Sequence, residues 1–318
     1  MTPFVLKPVA KDYLWGGTRL KTEFNKQTEL EIVAETWECS VHPDGMSIIS
    51  EGDYAGKTLK DVLDMHPEYL GCKYSSKKEL PIMIKFIDAA KDLSVQVHPN
   101  DDYARKYENQ NGKTEMWYIL DAKEGAKLIY GFNEGVSKDV FTNAVKDGRI
   151  MECLNQVSIK KGETYLIPAG TVHAIGAGTL IAEIQENSNV TYRLYDYDRV
   201  DKNGNKRELH LEKAMDVMSF EKPNNNNEGK VIKETESYIL NELCSCEYFT
   251  VKKINISKNC DLFINEDSFQ VLLCVEGNAK LKCNDDILDF TKGQCVFLPA
   301  GVGNCSVEGT TEILNVVC

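Results

Sequence analysis

Short apolar runs broken by glycine and proline dominate this chain. Residues 81–88 (Pro81-Ile82-Met83-Ile84-Lys85-Phe86-Ile87-Asp88) and 93–98 (Leu93-Ser94-Val95-Gln96-Val97-His98) read as strands. Two stretches keep helical spacing instead. Residues 57–70 bring Leu59, Val62, Leu63 and Leu70 to one side, and residues 138–154 do so with Val140, Phe141, Ala144, Val145 and Ile150. Beyond residue 231 the pattern is short strands with turns at Gly277, Gly293, Gly301 and Gly309, as in a sandwich or barrel. The polar run Pro223-Asn224-Asn225-Asn226-Asn227-Glu228-Gly229 separates the halves. The pattern predicts a mainly β protein: a unit over residues 1–222 with two small helical insertions, an Asn-rich linker over 223–230, and a second β unit over 231–318.

One segment occurs twice. Gly162-Glu163-Thr164-Tyr165-Leu166-Ile167-Pro168-Ala169-Gly170-Thr171-Val172-His173 and Gly293-Gln294-Cys295-Val296-Phe297-Leu298-Pro299-Ala300-Gly301-Val302-Gly303-Asn304 both read G-x5-P-A-G-x2 plus one residue. A glycine turn, a five-residue run and a Pro-x-Gly turn predict a strand entering a hairpin. The turn ends in imidazole in the first copy, a common metal ligand, and in amide in the second, a poor one. Lys123-Glu124-Gly125-Ala126-Lys127-Leu128 is echoed by residues 275–281, which extends the repeat. Two related β units are therefore expected, one carrying a metal and one metal-free.

Composition narrows the chemistry. A formal net charge of −12 argues against nucleic acid as partner, yet a few local cations suffice for a small anionic substrate. No apolar run approaches the roughly 20 residues that span a bilayer, and Met1-Thr2-Pro3-Phe4-Val5-Leu6-Lys7 lacks a secretory pattern. A cytoplasmic protein without membrane partner is the expectation. The 11 cysteines are odd in number, show no C-x2-C pair and fall in apolar runs, so they are expected as reduced, structural thiols.

Three segments supply metal-ligand candidates. In Ser94-Val95-Gln96-Val97-His98, alternation points Gln96 and His98 the same way. Glu115 opens the apolar strand Glu115-Met116-Trp117-Tyr118-Ile119-Leu120, and His173 ends the first repeat. Two imidazoles, a carboxylate and an amide oxygen suit a catalytic Zn²⁺ site with an open position; Fe²⁺ or Mn²⁺ would be accepted too. The arrangement matches the cupin signature, intact in its second half and degenerate in its first, where Gln96 replaces a histidine. The fold class expected is two cupin-type jelly-roll units.

With these pieces placed, nearly the whole chain resembles type I phosphomannose isomerase (mannose-6-phosphate isomerase) in its short bacterial form. The resemblance rests on Leu14-Trp15-Gly16-Gly17, on Glu35-Thr36-Trp37 through His42-Pro43, on residues 80–99, on Lys113-Thr114-Glu115-Met116-Trp117-Tyr118 and on Thr191-Tyr192-Arg193-Leu194-Tyr195-Asp196-Tyr197-Asp198-Arg199. It implies Gln96, His98, Glu115 and His173 as ligands of one Zn²⁺, Arg193 and Lys85 as catalytic residues, and Lys113 and Trp15 on the substrate. The implied reaction interconverts mannose 6-phosphate and fructose 6-phosphate through a cis-enediol, in a monomer or weak homodimer. Asn189 stands where the family often has an acid. Each residue also has a plainer reading: an ion pair to Asp196 or Asp198 for Arg193, a buried ion pair for Lys85, solvation for Lys113, core packing for Trp15, Trp117, Tyr192 and Tyr195. A metal-dependent dioxygenase and a non-catalytic phosphosugar-binding bicupin are the alternatives. The catalytic base is not named by the sequence.

Overall fold

The computed structural model describes residues 1–318 except 75, 77, 78, 202 and 224–226, so part of the predicted linker lies outside the described residues. The predicted strands run Ile82–Ala89 and Val95–Val97. The first helical stretch is an α-helix Leu59–Met65 followed by a 3₁₀ turn Pro67–Leu70. It begins at a capping box in which Thr58 and Asp61 satisfy each other's backbone amides, two of the donors a helix start leaves open. The second is Lys138–Lys146, capped by Ser137, with a 3₁₀ turn Ile150–Cys153. Three helices escaped the periodicity because each buries a single residue and so carries no apolar stripe: Arg19–Thr22, Asp101–Tyr107, capped by Asn100, and Leu211–Val217. Among the described residues no helix is long and apolar enough to cross a membrane.

Three antiparallel sheets form the body. A six-stranded sheet orders Thr164–Ile167, Glu115–Ala122, Thr179–Glu186, Ile82–Ala89, Glu35–Cys39 and Val9–Lys11. A five-stranded sheet orders Tyr192–Tyr195, Val95–Val97, His173–Ile175, Lys127–Phe132 and Leu154–Ser158. Trp117, Ile119, Ile181 and Ile87 of the first pack against Leu128, Tyr130 and Ile175 of the second, so the two sheets face each other. The back of the five-stranded sheet carries Phe141 and Ala144 of one helix and Ala214 of another.

The back of the six-stranded sheet meets a ten-stranded sheet. Ile84, Phe86, Met116, Tyr118 and Ile184 pack there against Val271, Leu273, Phe297, Leu314 and Val316. Alternation along each strand explains how one sheet serves two cores: Lys85, Glu115 and Glu183 point forward, and their sequence neighbours point back. The ten-stranded sheet is not built from residues 231–318 alone. Phe4–Lys7 pairs with Cys295–Leu298, and Ile48–Ile49 pairs with Phe4–Lys7.

Two expectations need correction. The Pro-Ala-Gly turn does not make a hairpin. Thr164–Ile167 and His173–Ile175 belong to different sheets, and Cys295–Leu298 and Gly303–Val317 are separated by Gln270–Cys283. Proline cannot donate to the ladder, and Gly170 takes a φ of 87°, the left-handed value that a type II turn requires. The turn closes through Thr171 N–H to Pro168 O at 3.0 Å and carries the chain around a corner. The cysteines are not all reduced: Cys283 and Cys305 form a disulfide, and the others are free. Sheet register sets these two opposite each other on neighbouring strands, a proximity that spacing along the chain does not reveal.

Candidate metal centre and substrate cavity

His98 follows strand Val95–Val97, Glu115 opens Glu115–Ala122, and His173 opens His173–Ile175. Three strand ends from two facing sheets therefore converge, and one ligand atom from each residue lies within 4.8 Å of the others. All three side chains are buried. His98 Nε2 stands 3.2 Å from one Glu115 oxygen and His173 Nε2 3.7 Å from the other. Each ring is oriented from behind: His98 Nδ1 donates to Val190 O at 2.8 Å and His173 Nδ1 to Thr171 O at 2.8 Å. That leaves both Nε2 lone pairs directed inward, the outer-partner arrangement that metal-ligating histidines use.

Electrostatics favour the same use. Burial, reinforced by the Lys113 charge, pushes the His98 pKa down to about 3, and burial lowers that of His173, so both rings are neutral as ligands must be. Burial alone would raise the Glu115 carboxyl, but Lys113 and the imidazoles hold it well below the usual range, as carboxylate. One Glu115 oxygen is buried without a hydrogen-bond partner among the described residues. An orphaned anionic oxygen between two inward lone pairs fits a divalent cation.

Gln96 flanks the cluster. It sits in register between His173 and Arg193, and its amide lies 3.4 Å from His173 Nε2. Lys113 is not solvated. It precedes the strand in a loop, yet it is buried, with its ammonium hydrogen-bonded to Glu115 and 3.2 Å from His98 Nε2.

A cavity of about 290 Å³ opens over these residues. Gln96, Lys113, Lys85, Arg193 and Trp15 all line it, so the structure gathers the predicted substrate-side residues into one space. Trp117 and Tyr192 are instead core residues, with Trp117 Nε1 donating to Glu183 and Tyr192 OH to Glu108. Lys85 does form a buried ion pair, 3.2 Å from Glu183 and 3.8 Å from Glu35, and still faces the cavity. Burial would lower its pKa, but Glu35 and Glu183 reverse this and hold the ammonium charged. Asp196 pairs with Arg199 and Arg207, and Asp198 with Lys206, so neither takes Arg193. Asn189 lines the cavity rim and donates to Asp44 at 2.9 Å.

The sequence reading missed Glu35 and Glu183. Both carboxyls line the cavity, and burial together with Glu115 raises the pKa of Glu183. The available signal was a single acid inside the apolar run Leu180-Ile181-Ala182-Glu183-Ile184.

Facing jelly-roll sheets with a buried His-Glu-His cluster at a polar cavity define a cupin-type protein with a site able to hold a metal. Comparison with known proteins narrows the class. Residues 4–127 match the family "Phosphomannose isomerase type I, catalytic domain", and residues 239–318 match "Mannose-6-phosphate isomerase, cupin domain". Mannose-6-phosphate isomerase ManA of Bacillus subtilis is 38% identical over 98% of both chains, and a Streptococcus mutans mannose-6-phosphate isomerase 34% identical over 98% of this chain and 97% of that one. A crystal structure of the B. subtilis mannose 6-phosphate isomerase superposes with a TM-score of 0.92 at 34% identity, covering 99% of each chain. Phosphomannose isomerase of Salmonella typhimurium shares the fold at 18% identity, with a TM-score of 0.77. The chain belongs to the type I phosphomannose isomerase family, and it is an isomerase.

Proposed function

We propose that this enzyme interconverts D-mannose 6-phosphate and D-fructose 6-phosphate by proton transfer between C2 and C1 through a cis-enediol, with one Zn²⁺ per chain. His98, Glu115 and His173 hold the metal and Gln96 assists. The observation that carries this reading is the inward pair of Nε2 lone pairs beside the unpartnered Glu115 oxygen, opening into a cavity of fixed charges. Zn²⁺ held there would supply Lewis acidity to the substrate.

The protein's own groups do the rest. Arg193, free of any carboxylate partner among the described residues, faces the cavity and stabilises negative charge developing on the enediol oxygens. Glu183, whose proton affinity burial raises, sits on the cavity wall beside Lys85, placed to take and return the carbon-bound proton. Lys113 and Lys85 keep substrate oxygens oriented. Trp15 closes the wall and excludes water. The ten-stranded sheet serves as a metal-free support, and the enzyme acts in the cytoplasm as a monomer or weak homodimer.

A coupled assay with mannose 6-phosphate on zinc-loaded protein tests the reading, and absence of turnover overturns it. Within it, Arg193→Ala should lower turnover roughly 10²- to 10³-fold while zinc content stays at the wild-type value. Loss of zinc in that variant would move Arg193 from charge stabilisation to holding the centre together.

A further inference from the structure

On the cavity floor carboxyl groups outnumber cations, and at its mouth the balance is reversed. Lys85 is matched by Glu183 and Glu35, and Lys113 by Glu115, with the two lysine side chains only 4% and 5% exposed. At the mouth, two guanidiniums hold one buried carboxylate, Asp196, and a third, that of Arg193, lies near enough to feel its charge. Arg199 spends its donors there: Nη2 on an Asp196 carboxylate oxygen, Nε on Asp196 O at 3.2 Å and Nη1 on Asp92 O. Arg207 grips Asp196 through Nε at 2.8 Å and through Nη2, which leaves Nη1 uncommitted among the described residues. Arg193 donates Nε to Ser94 Oγ at 3.3 Å and Nη1 to Glu208 O at 2.8 Å, which leaves Nη2. Glu208 itself turns to solvent, its side chain 83% exposed. Three cations against one carboxylate leave two positive charges uncompensated. The two arginines with spare donors, Arg193 and Arg207, are the two that line the cavity; Arg199 is not on its wall.

A phosphate monoester carries up to two negative charges near neutral pH, and planar guanidinium forks match its oxygens. A hexose 6-phosphate with C1 and C2 at the metal end presents its phosphoryl group at the other end of the sugar, toward the mouth. We propose that Arg207, held in place by Asp196, binds the substrate phosphoryl group through its spare Nη1 and is the residue that makes this enzyme select phosphorylated over free sugar. This rests on the isomerase reading above. Arg193 adjoins Gln96 in the sheet and so turns its one spare donor to the reaction centre, whereas Arg207 serves the anion.

The test compares Arg207→Gln, Arg207→Lys and Arg199→Gln with wild type, using steady-state kinetics on mannose 6-phosphate and on free mannose, and calorimetric binding of inorganic phosphate to the zinc-loaded enzymes. One hydrogen-bonded charge contact corresponds to a change of about 10- to 100-fold. Arg207→Gln should therefore raise KM for mannose 6-phosphate, and Kd for phosphate, by that factor with kcat within a few-fold of wild type. Its preference for mannose 6-phosphate over mannose should fall by the same factor. Arg207→Lys should recover part of the loss, and Arg199→Gln should bind phosphate as wild type does. A wild-type phosphate Kd in Arg207→Gln, equal losses on both sugars, or matching losses in Arg199→Gln would overturn the proposal and leave Arg207 a structural partner of Asp196. If Arg207→Gln does not fold, the phosphate Kd of Arg207→Lys decides. Wild-type enzyme inactive on mannose 6-phosphate would refute the isomerase reading, while the phosphate Kd values alone would still decide the anion site.

Discussion

The two Pro-Ala-Gly corners have the same backbone and opposite uses. Both glycines adopt positive φ, 87° at Gly170 and 78° at Gly301, and both turns close through the amide two residues after the alanine, Thr171 N to Pro168 O and Val302 N to Pro299 O. What differs is where the corner delivers its last residue. The first crosses between facing sheets and is pinned to the neighbouring ligand segment by Gly170 N–H to His98 O at 2.8 Å, so His173 enters a closed space with Glu115 and His98. The second stays within one sheet and leaves Asn304 exposed, opposite exposed Phe263. A corner supplies a position; the sheet across from it supplies the chemistry.

The largest effect should come from breaking the first copy. His173→Ala removes one of the three clustered ligands. Losing even an outer partner of a ligand costs roughly 10- to 100-fold in metal affinity or activity, so loss of the ligand itself should exceed that in both zinc retention and turnover. Dialysis against chelator followed by elemental analysis and the isomerase assay measures both. Full zinc with full turnover would remove His173 from the centre.

Next is the seam where the second half supports the first. Phe297 is fully buried, stacked on Phe4 and Phe269, in the core shared with Phe86 and Met116. Phe297→Ala should cost about 3–5 kcal/mol, read as a shift in urea midpoint. The zinc content of the remaining folded protein should be unchanged, since Phe297 shares a core with the back of the six-stranded sheet and not with the face that carries Glu115. A loss of zinc affinity larger than the loss of stability would show that the seam also shapes the site.

A smaller, pH-dependent effect lies at the same seam. Glu186 is 4% exposed and accepts from Thr114 N–H at 2.7 Å; burial, opposed by that hydrogen bond, pushes its pKa up to about 7 from 4.5. The folded protein therefore binds more protons at this group than the unfolded chain between about pH 4.5 and 7. Its contribution to stability falls as pH rises through that window and is level above it. Glu186→Gln keeps the acceptor for Thr114 and does not titrate. Relative to wild type it should gain about 2 kcal/mol between pH 5 and pH 8, measured as the difference in urea midpoint. Parallel pH profiles would show that Glu186 ionises normally.

What the sequence disclosed follows from how local each signal is. His98, Glu115 and His173 were legible because each stands in a short segment of fixed spacing, and the helices at Leu59–Met65 and Lys138–Lys146 because their apolar positions recur within two turns. Glu35 and Glu183 were not, because a lone acid on a strand reads as simple alternation until the partner sheet shows which face is enclosed. The Cys283–Cys305 bond, the placement of Phe4–Lys7 in the far sheet and the grouping of Arg193, Arg199 and Arg207 near Asp196 all depend on long-range register or loop packing. No spacing along the chain encodes these. Lys85 shows the intermediate case: an ion pair and a cavity residue were weighed as alternatives, and strand geometry makes it both.

The smallest expected effect tests the comparison most directly. Asn304→Ala should leave zinc content and turnover at wild-type values, with stability within about 0.5 kcal/mol, as for other exposed substitutions away from special features. Asn304→His goes further, because it restores the repeat in sequence while leaving its surroundings unchanged. A zinc site needs three or four donors converging with lone pairs fixed by outer partners. Position 304 is exposed, and the residue opposite it is Phe263. The interior of that half is filled by Cys274, Leu298, Phe290 and Ile313, and among the described residues the one cluster of three or more candidate donors is His98, Glu115 and His173. Asn304→His should therefore bind the same zinc as wild type, about one equivalent per chain, in reduced and dialysed protein. A second equivalent gained by that substitution would mean that the corner carries the site with it, and that the opposing sheet matters less than its packing indicates.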